Sequence, residues 1–216
     1  MDTLAARQQM VDQQIRTWEV LDPRVLDVFA TVPREAFVPP EYRELAFADT
    51  PIPIGLGQSM LAPKIQGRIL QALSVAANDS VLEVGSGNGY LAACLSLLGR
   101  ATRSIDIHPQ FTASARANLR AVPGASVEFE TRDAFATAPL GEYDAIAVTG
   151  SLPVYDARFE RSLRLGGRLF AIVGEAPVMD AILVRRVDNA EWIRESLFET
   201  VVEPLINATA AQRFVF

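Results

Sequence analysis

The chain has 216 residues, half of them hydrophobic and 21% charged, with a formal net charge of −6. An acidic chain without a visible cluster of Lys and Arg argues against nucleic acid as its main partner, because phosphate binding relies on concentrated positive surface. A single histidine and a single cysteine, Cys94, leave no set of ligands for the usual zinc site and no Cys-His nucleophile pair, so no metal is expected. Cys94 is expected in the core. No apolar run approaches the roughly 20 residues of a membrane helix, so no membrane partner is expected. No basic and apolar leader opens the chain, which points to a cytoplasmic protein.

Leu4, Met10, Val11 and Ile15 lie among polar residues and predict a surface helix over 4–17, a lid or brace. Asp22 and Pro23 are an N-cap and first-turn proline for a second helix, Arg24 to Thr31. The stretch Asp49 to Pro63 is rich in proline and glycine and reads as an ordered loop rather than a strand, followed by a helix from Lys64 to Leu73.

Strand and helix then alternate. Val81, Leu82 and Val84 suit a buried strand, and Gly85, Gly87 and Gly89 let the backbone turn and come close to a ligand before a helix from Tyr90 to Leu98. Ala101 to Ile105 is a second strand, and a helical stretch runs from Gln110 to Ala121. Val127 to Glu130 and Tyr143 to Thr149 are two more strands. Asp156 to Leu163 reads as a helix, with glycines at 166 and 167 reversing the chain into a strand over Arg168 to Val173. Ala181 to Val187 and Ser196 to Val202 look like a closing antiparallel pair. The architecture is α/β with an N-terminal helical addition.

The glycine turn narrows the ligand. A dinucleotide fingerprint is G-x-G-x-x-G, whereas this chain reads G-x-G-x-G. Glu83, at the carboxyl end of the strand, would repel phosphates but pair with an ammonium group. The combination points to a cationic, phosphate-free nucleoside, S-adenosyl-L-methionine, with Ser86 and Asn88 between the glycines along the same turn. A ribose in this architecture is held by an acid about 20 residues beyond the first glycine. Asp106, followed by Ile107, lies 21 positions after Gly85. Asp133, followed by Ala134, stands after the next strand, where its carboxylate is placed for an adenine amino group.

Val32-Pro-Arg-Glu-Ala-Phe-Val-Pro39, Pro53-Ile-Gly-Leu-Gly-Gln58, the turn from Val81 to Tyr90, Tyr143 to Thr149 and Leu165-Gly-Gly-Arg-Leu169 together resemble the protein-L-isoaspartate (D-aspartate) O-methyltransferase family. The resemblance runs from about Met10 to Leu205. It implies a seven-stranded Rossmann-like S-adenosylmethionine-dependent methyltransferase fold in one domain, 1–216. Helices fill 1–48, the cofactor-binding core 49–205, and a C-terminal extension 206–216. It also implies the activity, methylation of isoaspartyl carboxyl groups in damaged proteins or peptides, by a monomer or homodimer. One departure is marked: the family's G-Q-T-I-S-x-P loop is here Gly57-Gln58-Ser59-Met60-Leu61-Ala62-Pro63, with leucine where the family has its active-site serine.

A carboxylate acceptor is already an anion at neutral pH, so its methylation needs position and desolvation rather than a strong base. Gln58, Ser59 and Thr149 are the candidates for that positioning. Leu61 favours an alternative, a methyltransferase for another acceptor. A cofactor-binding protein without turnover is a further reading, and a nicotinamide dehydrogenase a weaker one.

Overall fold

The structure, a computed structural model, describes residues 2–136 and 139–210. Strand β3 (Ser80–Val84) carries the predicted aliphatic run and is the centre from which the sheet grows. Strands β4 (Ala101–Asp106) and β5 (Val127–Thr131) add in parallel on one side, and β6 (Tyr143–Leu152) and β7 (Leu163–Glu175) on the other. Beyond β7 the chain turns back as an antiparallel meander, β8 (Val178–Asp188) and β9 (Glu191–Thr200). The hydrogen-bonded order is β5-β4-β3-β6-β7-β8-β9, a seven-stranded sheet.

Both faces of the central strands are apolar because both are covered. Ala145, Ala147, Phe170 and Ile172 join one buried cluster with the N-terminal residues, while Leu82, Ile146, Val148, Leu169 and Ala171 join a second cluster on the opposite face. Helix α1 (Thr3–Met10) continues through a widened turn over Val11–Ile15 rather than ending there. Met10, Val11 and Ile15 are buried, so the predicted surface helix is a brace packed into the core. Helix α2 (Pro23–Thr31) starts as expected, with the Asp22 carboxylate accepting the Arg24 N–H at 2.9 Å.

Two expectations are corrected. The loop over 49–63 contains a two-stranded antiparallel hairpin, β1 (Ile52–Gly55) and β2 (Gln58–Met60), before helix α3 (Pro63–Leu73). Its prolines are tolerated because a two-stranded ribbon leaves outward N–H positions unpaired. The helix predicted over Asp156 to Leu163 is shorter, α6 (Ala157–Arg161), and β7 begins already at Leu163. Leu163 pairs with Tyr143 and Arg168 with Ala145, so Gly166 and Gly167 lie in a bulge within the strand instead of before it. The closing Arg213-Phe214-Val215-Phe216 of the extension lies outside the described residues.

Helix α4 (Tyr90–Leu98) follows the glycine turn, and α5 (Pro109–Asn118) packs across its start. Gly89 has φ +87°, and a Cβ there would lie 2.7 Å from the Ala115 Cβ and 2.9 Å from its Cα. Replacing Gly89 with Ala is expected to lower unfolding free energy by about 3 kcal/mol, from the left-handed backbone and the overpacking together. Gly124 has φ +83° with open space around it. Gly124→Ala should cost only about 1 kcal/mol, and urea denaturation of the two variants checks the difference.

Candidate active site

Chain order reverses at β3, which leaves a crevice at the carboxyl ends of β3 and β6, the place where open α/β sheets bind ligands. The turn after β3 enters it through Gly85, at φ +97°, and Gly87, at φ +48°. A bulge in β6 sets five residues, Ala147 to Ser151, against the three from Phe170 to Ile172 and re-aims Thr149 at that turn. The Thr149 hydroxyl donates to the carbonyl oxygens of Val84 at 3.0 Å and Gly85 at 2.9 Å. Its proton pins the glycine turn, while the side chain also lines the cleft.

Two carboxylates flank the turn. Glu83 is 1% exposed and borders a small recess with Gly85, Ser86, Gly87 and Leu61. It accepts the Ser104 hydroxyl, and Ser86 donates to Ser104 at 2.7 Å, forming a hydroxyl chain beneath the turn. Burial pushes the Glu83 carboxyl up to about 8, and the nearby Asp106 charge adds to the rise against the Ser104 hydrogen bond. Asp106 itself is fixed by the N–H groups of Gly87 at 3.0 Å and His108 at 2.9 Å. Lone pairs remain on its oxygens for a hydroxyl-bearing ligand.

The cleft between these groups is lined by Gln58, Ile107, Phe111, Asp133, Ala134 and Phe135. Asp133 accepts the Phe135 N–H at 2.8 Å and the Asn207 side-chain amide at 2.9 Å. Of the predicted residues, Glu83, Ser86 and Asn88 line the small recess beside this cleft rather than the cleft itself, and Gly89 lines neither. The Asn88 amide donates to the Phe37 carbonyl at 3.0 Å, and Gly89 gives α5 its close approach. Both contacts brace the turn. Phe111, Phe135, Leu205 and His108 were missed. Phe111 had a signal, as an aromatic on the helix just beyond Asp106. The His108 Nε2 is buried in the cleft wall with no partner.

A second, larger cavity of about 760 Å³ opens beside the first, between the hairpin, α3 and the ends of β7 and β9. Ser59, Leu61, Glu203 and Pro204 line both, so they form the passage between the two. Ser59 donates to the Glu203 carboxylate at 2.9 Å, a residue that sequence reading did not single out. The Leu61 carbonyl accepts from the buried Arg34 guanidinium at 2.8 Å, which fixes the backbone at the departed position whatever its side chain. Among the described residues, no three His, Cys, Asp or Glu side chains could hold a metal ion, and no helix is long and apolar enough to cross a membrane.

A doubly wound sheet with a glycine turn between two carboxylates at its switch point defines a Rossmann-like methyltransferase architecture. The model of the family described as Protein-L-isoaspartate(D-aspartate) O-methyltransferase matches residues 5–210. The chain belongs to that family. Proteins named protein-L-isoaspartate O-methyltransferase from Koribacter versatilis and Methanoregula boonei are similar to it. The first is 36% identical over 93% of this chain and 90% of its own length, the second 38% over 93% and 92%. In fold it is similar to a Plasmodium falciparum chain described as a protein-L-isoaspartate O-methyltransferase in complex with S-adenosyl-L-homocysteine. That likeness has TM-score 0.79 at 18% identity, covering 95% of this chain and 98% of that one. The family match includes Ile206 to Ala210, placed in the extension by sequence reading, and Ile206 lines the cleft.

The raised Glu83 carboxyl makes stability pH-dependent. The folded state holds this proton more tightly than the unfolded chain does, so the contribution is full below the ordinary value of 4.5 and is lost as pH rises toward about 8. The thermal midpoint of the ligand-free protein should fall between pH 5 and 8, and Glu83→Gln should flatten that slope in calorimetric scans.

Proposed function

We propose that this chain is an S-adenosylmethionine-dependent protein-L-isoaspartate O-methyltransferase, with the donor in the glycine-turn cleft and the isoaspartyl carboxyl arriving through the larger cavity. The observation that carries this is the passage formed by Ser59, Leu61, Glu203 and Pro204, where the glycine-turn cleft meets a larger cavity open to solvent. The residues present fit the donor. Two carboxylates, Glu83 and Asp106, lie close enough for one to raise the other, and a ligand with cationic groups would offset them. A phosphate would meet repulsion there.

In this reading Asp106 accepts the ribose hydroxyls with the lone pairs that Gly87 and His108 leave open. Asp133 and Ala134 stand at the adenine, and Ile107, Phe111 and Phe135 supply apolar walls for a flat base. Glu83 faces the donor's ammonium from the recess beside Gly85 and Gly87. The bound donor supplies a sulfonium-borne methyl group, which passes to a carboxylate oxygen to leave a methyl ester and a neutral thioether. The chain withdraws no proton from an acceptor that is already ionised, so its task is alignment and exclusion of water. Gln58 lines the donor side of the passage, while Ser59 and Leu61 border both sides. A single catalytic domain, a cytoplasmic location and a monomer or homodimer go with this reading; one buried cluster joining the N-terminal helices to the sheet supports the first.

Leu61, 9% exposed and lining both cavities, favours a second reading in which the same donor serves a less polar acceptor. Labelled methyl transfer to an isoaspartyl peptide, compared with its aspartyl twin, is expected to favour the isoaspartyl form; equal background signal for both would remove the leading reading. S-adenosylhomocysteine should raise the thermal midpoint and NAD should not. Asp106→Ala should weaken donor binding by about tenfold or more, as loss of hydrogen bonds to a charged group implies, and titration calorimetry measures it. Leu61→Ser gaining isoaspartyl activity would favour the second reading.

A further inference from the structure

Glu203 stands at the junction of the two cavities on a segment that cannot easily move. The Ser151 N–H donates to the Glu203 carbonyl at 2.9 Å, the Leu205 N–H to the Ser151 carbonyl at 2.9 Å, and the Ser151 hydroxyl to the Val202 carbonyl at 3.2 Å. Ser151 is fully buried in β6, so this strap is tied to the centre of the sheet. The Glu203 side chain has one partner among the described residues, the neutral Ser59 hydroxyl. Its charge is therefore held in place and unbalanced.

The wall of the acceptor cavity is acidic on balance. Among the described residues Lys64 is the one cation lining the acceptor cavity, and its ammonium is engaged by Asp49 at 2.8 Å and lies 4.5 Å from the Trp18 ring centroid. Glu175 and Glu199, the other charged groups on the wall, are also acids. A reacting carboxylate that enters the passage brings a second negative charge beside Glu203. Like charges in a partly desolvated cleft repel several-fold more strongly than in open water.

We infer that Glu203 is a specificity-determining residue of the acceptor site, favouring acceptor segments with Lys or Arg beside the reacting carboxyl and disfavouring those with Asp or Glu there. A neighbouring cation settles against Glu203 and cancels the repulsion, while a neighbouring acid compounds it. This rests on the proposed methyl transfer to isoaspartyl peptides and names the subset of them that the site prefers.

The test uses three isoaspartyl peptides of equal length with Lys, Gln or Glu next to the isoaspartyl residue. For the unaltered protein the Lys peptide should exceed the Glu peptide in kcat/KM by about tenfold at low salt, as expected for one charge pair at intermediate dielectric. The ratio should shrink as ionic strength rises. Glu203→Gln keeps an oxygen for the Ser59 hydroxyl but removes the charge, and should bring the ratio close to one, chiefly by improving the Glu peptide. Glu203→Asp keeps the charge and should keep a preference for the Lys peptide. A ratio unchanged in Glu203→Gln overturns the inference. Fluorescence anisotropy of the same peptides, with S-adenosylhomocysteine present, gives the ratio without turnover. Absent methyl transfer to every peptide would count against the isoaspartyl reading, whereas an unchanged binding ratio would count against Glu203.

Discussion

The layout of the site depends on a buried cation with no carboxylate partner. Arg34 is fully buried, and its guanidinium donates to the Ala46 carbonyl at 2.8 Å, to the Leu61 carbonyl at 2.8 Å and to the Gln66 side chain, with the Tyr90 ring 5.0 Å away. Desolvation lowers its pKa, which is the direction expected of a charge taken out of water and met only by neutral dipoles. Each of those dipoles belongs to a different part of the fold: the N-terminal layer, the hairpin's exit and α3. Removing the side chain would leave buried carbonyls without donors and untie the loop that carries Ser59 and Leu61. The segment Val32 to Pro39 is thus a structural anchor for the acceptor loop.

The donor cleft uses charge in the opposite sense. Glu83 is kept from water and leans on a chain of serine hydroxyls, whereas Asp106 is held in place by two backbone N–H groups and lines the cleft. An environment with two acids and a glycine turn suits a reaction driven by alignment rather than by proton withdrawal. Cys94 is buried in α4, where desolvation pushes its thiol up to about 12, so it stays a neutral core residue.

What could be read from sequence was what local spacing determines. The glycine turn, Asp106 and the alternating strands follow from residues close together in the chain, and all stand where they were placed. The hairpin of 52–60 was hidden because proline and glycine composition signals a break, while the pairing that makes it a ribbon lies in the register of Ile52 with Met60. Sequence shows that the turn at Asn88 and Gly89 is tight without showing that the Asn88 amide also reaches the Phe37 carbonyl or that Gly89 meets Ala115. The partner of Ser59 was out of reach altogether, since Glu203 lies 144 positions away and meets it only through a strap bonded to Ser151.

That strap has a thermodynamic corollary. Glu203 and Pro204 belong to the walls of both cavities, and Leu205 and Ile206 continue along the donor side, so the two ligands share one stretch of backbone as a common boundary. Free energies of binding are linked symmetrically. Whatever tightening the first occupant confers on its neighbour through this boundary, the neighbour returns in equal measure, and neither compartment has an affinity wholly its own.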